Sequence, residues 1–221
     1  MNTRTDLITE QDHSKKQEQK YQIENVLITK SEMNGTYYTV HFDDLSNVDE
    51  RKNILVALTQ TFTELFRKLQ IKEDASCLVI GLGNRESTPD SLGPIVLQNL
   101  IVTRYLFDQK TITVLEKYRN VAAFAPNVTG VTGLETVSLI KGVIQTFQPD
   151  FVIAVDALAS SKIENVLKVI QITDTGIHPG SGVGNNRGEL SHETLGIPVI
   201  AVGVPTVIDG ITIVYDTIRS L

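Results

Sequence analysis

Two aspartates stand next to apolar segments, at points where a carboxylate could take part in catalysis. Asp90 follows the glycine-rich segment 81–89 and begins a helical pattern, whereas Asp156 comes directly after the apolar run 151–155. A charge at the end of a buried strand is unfavourable unless it has a partner. Two neighbouring carboxyl groups do not both ionise readily, so one can donate a proton while the other accepts one from water. The pair therefore predicts general acid and base catalysis.

Asp90 also has a structural interpretation, because aspartate is a favoured N-cap residue of helices. The preceding Gly81-Leu82-Gly83 lacks the third glycine of a dinucleotide fingerprint and the Gly-Lys-Ser/Thr of a P-loop, so nucleotide binding is disfavoured. Ligands of parallel sheets bind beyond the carboxyl ends of the strands. Gly83 and Asn84 are accordingly candidate cleft residues.

The segment 174–188 is a further candidate part of the cleft. Its five glycines between positions 176 and 188 allow unusual backbone angles and close approach of a ligand. His178 is open to three interpretations, as a base, a metal ligand or an ordinary loop histidine. His178 and Gly180 are candidate cleft residues, and Asp90, Asp156 and His178 form an alternative ligand set for a divalent metal.

Cys77 is the one cysteine of the chain, and it lies inside an apolar run. A single cysteine excludes an intramolecular disulfide and a thiolate zinc site, and it fits a reducing compartment. The chain has no Gly-x-Ser-x-Gly elbow. Nucleophilic triad chemistry is therefore weakly supported, and no cofactor is expected.

The apolar pattern that must position these residues is typical of an α/β fold. The alternation of buried strands with helical patterns predicts one domain over 1–221, with a three-layer α/β/α architecture and a mostly parallel central sheet. An N-terminal hairpin is added to this sheet. Residues 1–22 are expected to form a mobile arm, and 209–221 fits either a strand or a helix. The predicted strands are 23–30, 36–42, 77–82, 151–155, 166–172 and 198–204, and the predicted helices are 49–70, 90–107 and 134–147.

The composition is that of a globular protein, with 41% hydrophobic and 21% charged residues among 221. A net charge of −6 argues against a sequence-independent nucleic-acid binder, which needs a basic surface. No stretch approaches the ~18 consecutive apolar residues that a membrane-spanning helix needs. These features predict a cytoplasmic protein without a direct nucleic-acid or membrane partner.

Several long segments resemble the germination protease of spore-forming bacteria, an atypical aspartic endopeptidase that degrades small acid-soluble spore proteins. The resemblance implies that Asp90 and Asp156 are the active-site aspartates. It also implies a zymogen that cleaves itself between Asp6 and Leu7, a site that Glu10 would complete. A cytoplasmic location in the forespore or spore core and a homo-oligomer, in the family a tetramer, would follow. The similar segments are 74–84, 88–94, 132–136, 149–159, 173–185 and 194–206.

The chain also departs from this family. Family members extend beyond the position of Leu221, so a C-terminal region is expected to be absent. Ser160-Ser161-Lys162 stands where the family has Ala-Arg, and 126–130 also differs. A likeness of fold to the hydrogenase maturation peptidases, which act on a nickel-bound substrate, keeps a metal-dependent peptidase as one alternative. An inactive relative that binds spore proteins is the other.

Overall fold

The computed structural model describes residues 5–10, 17–109, 118–179, 188–208 and 210–219. Within these residues, eight strands form one sheet in the order β1-β2-β3-β7-β8-β6-β4-β5. The strands are β1 (Gln17–Ile23), β2 (Val26–Glu32), β3 (Thr36–His41), β4 (Cys77–Gly81), β5 (Val121–Phe124), β6 (Phe151–Ser160), β7 (Val169–Thr173) and β8 (Val199–Ile208). The helices are α1 (Val48–Lys68), α2 (Leu92–Gln98), α3 (Arg104–Asp108), α4 (Thr129–Thr132), α5 (Thr136–Phe147), α6 (His192–Leu195) and α7 (Gly210–Arg219). Short 3-10 turns are Ile8–Glu10, Thr88–Asp90 and Ile163–Asn165.

The sheet has a parallel half and an antiparallel half. β8, β6, β4 and β5 are parallel neighbours, whereas β1, β2, β3 and β7 pair antiparallel with one another, and β7 pairs antiparallel with β8. Three of the seven pairings among the described strands are parallel and four are antiparallel. The predicted α/β class is confirmed, but the prediction of a mostly parallel sheet was wrong.

The direction of β7 accounts for much of this difference. The apolar run 166–172 predicts another parallel strand, yet β7 runs antiparallel to β8. Only residues 161–168 connect β6 to β7, whereas a crossover between parallel strands needs a dozen or more residues. The short connection therefore turns the chain back along the sheet.

Both faces of β4 and β6 are buried under helices. Leu78 and Ile80 pack with Val137 of α5, whereas Cys77 and Val79 pack on the side of α2. Successive strand residues point to opposite faces, so burial on both sides requires a continuous apolar run. This burial makes β4 and β6 visible in the sequence, whereas β5, at the edge of the parallel half, was not predicted.

The N-terminal residues depart from the mobile arm expected over 1–22. Gln17–Ile23 forms β1, which pairs antiparallel with β2 along its whole length. Leu7 and Ile8 are buried, with 0% and 2% of their surface exposed. The expectation was wrong for Gln17–Ile23 because an edge strand needs only backbone pairing and can carry polar side chains. It was also wrong for Leu7, whose apolar side chain packs with Leu158 and Val169.

The helix predicted over 90–107 is divided into α2 and α3. Between them, the backbone N–H of Thr103 donates to the carbonyl of Val121, which attaches this segment to the start of β5. The ambiguous tail contains helix α7. Within the described ranges, none of the helices is long and apolar enough to cross a membrane.

Candidate active site

Asp90 and Asp156 line one cavity of about 360 Å³, which we call the aspartate cavity. Gly83 and Asn84, both expected in the cleft, line it as well, and so does Asp6 of the expected self-processing site. The structure thus brings together five residues that the sequence singled out. The other lining residues are Leu82, Ser87, Pro89, Asn127, Val128, Thr136, Ala157, Ala159, Pro179, Thr206 and Val207.

Asp156 lies inside β6 and not after its end. The sequence predicts that the strand stops at Val155, but β6 continues to Ser160 and pairs Asp156 with Gly203 of β8. The neighbouring strand β4 ends at Gly81, which pairs with Val155. Asp156 therefore stands one residue beyond the carboxyl end of β4, where a ligand of a parallel sheet is expected. Its side chain is buried, and Oδ1 accepts a hydrogen bond from the Ala157 N–H at 2.9 Å.

Asp90 is held by the loop that follows β4. Its carboxylate accepts a hydrogen bond from the Asn84 N–H at 2.9 Å, and its carbonyl accepts one from the same group at 3.0 Å. Gly83 has a φ of +103°, and a Cβ there would lie 2.1 Å from the Asp90 carbonyl oxygen. The N-cap of α2 is Ser91, so the capping interpretation of Asp90 is wrong for this helix. The glycine instead lets the loop close around the aspartate.

Residues 5–10 lie along the end of β6 next to the aspartate cavity. The Asp6 N–H donates to the Ala159 carbonyl at 2.9 Å, and the Ala159 N–H donates to Asp6 Oδ2 at 2.8 Å. Leu7 is fully buried in a cluster with Leu158 and Val169. The expected cleavage site therefore begins at the cavity that contains both candidate catalytic residues.

Gln171 of β7 contacts the backbone on both sides of the 6–7 peptide bond. Its Nε2 donates to the Asp6 carbonyl oxygen at 3.1 Å, and its Oε1 accepts from the Ile8 N–H at 2.7 Å. The side chain is buried, with 6% of its surface exposed. Gln171 thus fixes the orientation of the carbonyl that hydrolysis of this bond would attack.

Glu10 anchors the other end of the same segment. Its two carboxylate oxygens accept hydrogen bonds from Ser160, Ser161, Asn165 and Thr5. Burial alone would raise the pKa of Glu10, but these hydrogen bonds outweigh it, so the pKa lies below its usual 4.5. The side chain is therefore held as a carboxylate at neutral pH.

Comparison with known proteins assigns the family of this chain. The family model described as germination protease matches residues 3–221. The chain belongs to the germination protease family. The resemblance inferred from the sequence motifs is thereby confirmed.

Curated germination proteases of several bacteria are similar to this member of the family. The protein of Bacillus subtilis (strain 168) is 52% identical over 186 residues, which is 83% of this chain and 50% of the relative. That of Bacillus pumilus (strain SAFR-032) is 49% identical over 211 residues, 92% of this chain and 57% of the relative. The chain thus spans about half the length of the curated germination proteases it matches.

His178 does not line the aspartate cavity in this germination protease family member, although its neighbour Pro179 does. It lines a second cavity of about 660 Å³, which we call the histidine cavity, and its Nε2 is 3.6 Å from Glu189 Oε1. No group of three or more His, Cys, Asp or Glu residues in the described part of the chain is arranged to hold a metal. The alternative ligand set of Asp90, Asp156 and His178 does not fit a metal site here. Gly180 lies outside the described residues.

Cys77 is unsuited to nucleophilic chemistry. It is buried in β4, and burial raises the pKa of its thiol to about 12. The thiolate is the reactive form, so almost none is present at neutral pH.

Sequence reasoning missed several polar residues near the cavity. In the sequence, Gln171 is an ordinary polar residue of a predicted strand. The contacts of Ser160 and Asn165 with Glu10 depend on where the distant segment 5–10 docks. Thr136 lines the aspartate cavity, and its buried hydroxyl has no hydrogen-bond partner among the described groups. The motif 132–136 was visible in the resemblance, but it carried no chemical signal of its own.

Proposed function

We propose that the protein is an endopeptidase that begins the degradation of small acid-soluble spore proteins during germination. One observation supports this most directly: Asp90, Asp156 and Asp6, the residue before the expected cleavage point, line one cavity. Membership of the germination protease family supports the same activity. The relatives are named germination proteases, and the substrates of this chain are part of the proposal.

The aspartates would act as a general acid and a general base. One carboxylate removes a proton from water, which attacks the carbonyl carbon of Asp6, and the other carboxyl group protonates the Leu7 nitrogen as the C–N bond breaks. Gln171 Nε2 is positioned to donate to the carbonyl oxygen as negative charge develops on it. The products are a carboxylate on Asp6 and a free amine on Leu7.

The proposal includes synthesis as a zymogen that cleaves itself between Asp6 and Leu7. Docking of residues 5–10 beside the aspartate cavity supports this step. Action in the forespore or spore core, assembly into a homo-oligomer such as a tetramer, and a three-layer likeness to the hydrogenase maturation peptidases belong to the same proposal. No cofactor is part of the proposed chemistry, because the two carboxyl groups supply both proton-transfer functions.

Mass spectrometry of the purified chain at mildly acid pH tests this function. We expect loss of residues 1–6 from the unmodified protein and none from Asp90→Asn or Asp156→Asn, whereas Glu164→Gln, on an exposed turn, should process normally. Processing by both aspartate variants at the unmodified rate would contradict the proposal. Loss of processing after exhaustive chelation would favour the metal-dependent alternative. An intact chain that binds spore proteins without cleaving them would favour the inactive binding relative.

A further inference from the structure

A side chain of β8 holds the short turn that carries Asp90. Thr206 Oγ1 donates a hydrogen bond to the Pro89 carbonyl oxygen at 2.5 Å. Pro89 directly precedes Asp90 in the 3-10 turn Thr88–Asp90, which we call the Asp90 turn. All three of these residues line the aspartate cavity. Thr206 therefore contacts the backbone directly next to one of the two proposed catalytic carboxyl groups.

Thr206 occupies an irregular position of β8. Leu158 of β6 pairs with Pro205, but the next residue, Ala159, pairs with Val207, so Thr206 is an extra residue between the two pairs. Such a β-bulge bends the strand and re-aims a side chain, and bulges are frequent next to active sites. Pro205 is compatible with this place, because a proline cannot donate to a regular strand ladder. The bulge thus presents the hydroxyl of Thr206 to the turn beyond the sheet.

The strand that carries Thr206 is also the neighbour of the strand that carries Asp156. Asp156 of β6 pairs with Gly203, which lies three residues before Thr206 on β8. The N–H of Asn84, which donates to the Asp90 carboxylate, belongs instead to the loop that follows β4. The contact made by Thr206 therefore ties the Asp90 turn to the strand that is paired with Asp156.

We propose that Thr206 is a positioning residue that sets the spacing between the carboxyl groups of Asp90 and Asp156. This inference rests on the proposed peptidase function. Two interacting carboxyl groups titrate in two steps, and the steps come closer together as the groups move apart. Asp6 is the other titratable side chain among the described residues that line the cavity. By holding the Asp90 turn, Thr206 keeps the pair singly protonated over a wide range of pH.

Cleavage of a fluorogenic peptide with the sequence of residues 3–12 tests this role in Thr206→Val, which keeps the β-branched shape but removes the hydroxyl. We expect kcat to fall on the order of tenfold with KM within about twofold, because the lost bond aligns the carboxyl groups and does not hold substrate. The pH range of kcat/KM should narrow as its two apparent pKa values converge. Thr206→Ser should restore both the rate and the pH range. Thr59→Val is the matched control, because it removes a hydroxyl that donates to the Leu55 carbonyl at 2.7 Å within α1.

An unchanged kcat and pH range in Thr206→Val would overturn the positioning role while leaving the peptidase function intact. An equal loss in Thr206→Ser, or a lower rate with an unchanged pH range, would also overturn it, because a merely structural role predicts these results.

NMR titration of isotope-labelled aspartate carboxyl groups, assigned with Asp90→Asn and Asp156→Asn, separates the positioning role from catalysis. If the unmodified protein does not cleave the peptide but the two titration steps converge in Thr206→Val, the positioning role is supported and the proposed function is contradicted. If it does not cleave the peptide and the titrations of the two proteins are identical, both are contradicted.

Discussion

The aspartate cavity and the histidine cavity differ in size, in lining and in their place on the sheet. The histidine cavity is the larger, at about 660 Å³ against about 360 Å³, and it contains His178. The aspartate cavity lies beyond the end of β4, between parallel strands. Asp6 lines both cavities. The larger histidine cavity contains neither Asp90 nor Asp156, whereas the smaller cavity beyond the end of β4 contains both.

The strand directions determine where the segment that contains His178 leaves the sheet. Asp156 is level with Gly203, which pairs with Gln171 of β7. Because β7 runs antiparallel to β8, its last residue, Thr173, is level with Ala201 and lies further from the edge reached by β6. The chain therefore leaves β7 in the direction opposite to that in which it leaves β4, yet Pro179, six residues beyond the end of β7, lines the aspartate cavity.

Gly83→Ala should have the largest effect on the aspartate cavity. The added Cβ would lie within van der Waals overlap of Asp90, and the φ of +103° is unfavourable for a residue with a side chain. We expect self-cleavage below detection and a lower melting temperature. Gly196→Ala is the matched control, because its φ is also positive, at +75°, but its Cβ would meet nothing within 4 Å. Equal loss of cleavage in both variants would show that the contact with Asp90 is unimportant.

Gln171→Glu should slow cleavage by roughly 10²-fold, the typical effect of losing one donor to a developing oxyanion. Glutamate can still accept from the Ile8 N–H, but it has no N–H to donate to the Asp6 carbonyl. Single-turnover rates of self-cleavage measure this effect. If the variant still protects the Ile8 amide from hydrogen exchange and cleaves itself at the unmodified rate, Gln171 takes no part in the reaction.

Residues 5–10 should dock more weakly onto the end of β6 at acid pH. The pKa of Glu10 is lower in the folded state than its ordinary 4.5, so its contribution is present above pH 4.5 and is lost as the pH falls through the folded-state value. Hydrogen exchange of the Asp6 and Ile8 amides should accelerate relative to the intrinsic rate across this window. Glu10→Gln should abolish this pH dependence, and its persistence in that variant would assign it to another group.

Of these substitutions, His178→Gln should have the smallest effect on the rate of self-cleavage. His178 Nε2 is 3.6 Å from Glu189 Oε1 in the histidine cavity, and His178 does not line the aspartate cavity. We expect self-cleavage within about twofold of the unmodified protein, since an exposed side-chain contact of this kind contributes little to stability. A loss comparable to that of an aspartate variant, restored by added divalent metal, would instead favour a metal-dependent mechanism.

The sequence predicted the parts of the fold and site that depend on local pattern. The buried strands β4 and β6 follow from continuous apolar runs, and Asp90 and Asp156 follow from their positions near the ends of those runs. Strand direction depends on pairing between distant segments, so the antiparallel course of β7 was not visible. The docking of Glu10 onto Ser160 and Asn165 joins residues about 150 positions apart, and no local pattern reveals such a contact.

Hydrolysis of the peptide equivalent to residues 3–12 by the two aspartate variants and their double variant tests the central claim most directly. Each single change, Asp90→Asn or Asp156→Asn, should lower kcat/KM by about 10²–10⁴-fold. The double variant should be little worse than the more impaired single variant, because residues that act as a unit are strongly non-additive. Full activity in either single variant, with the fold intact by circular dichroism, would contradict the aspartate pair.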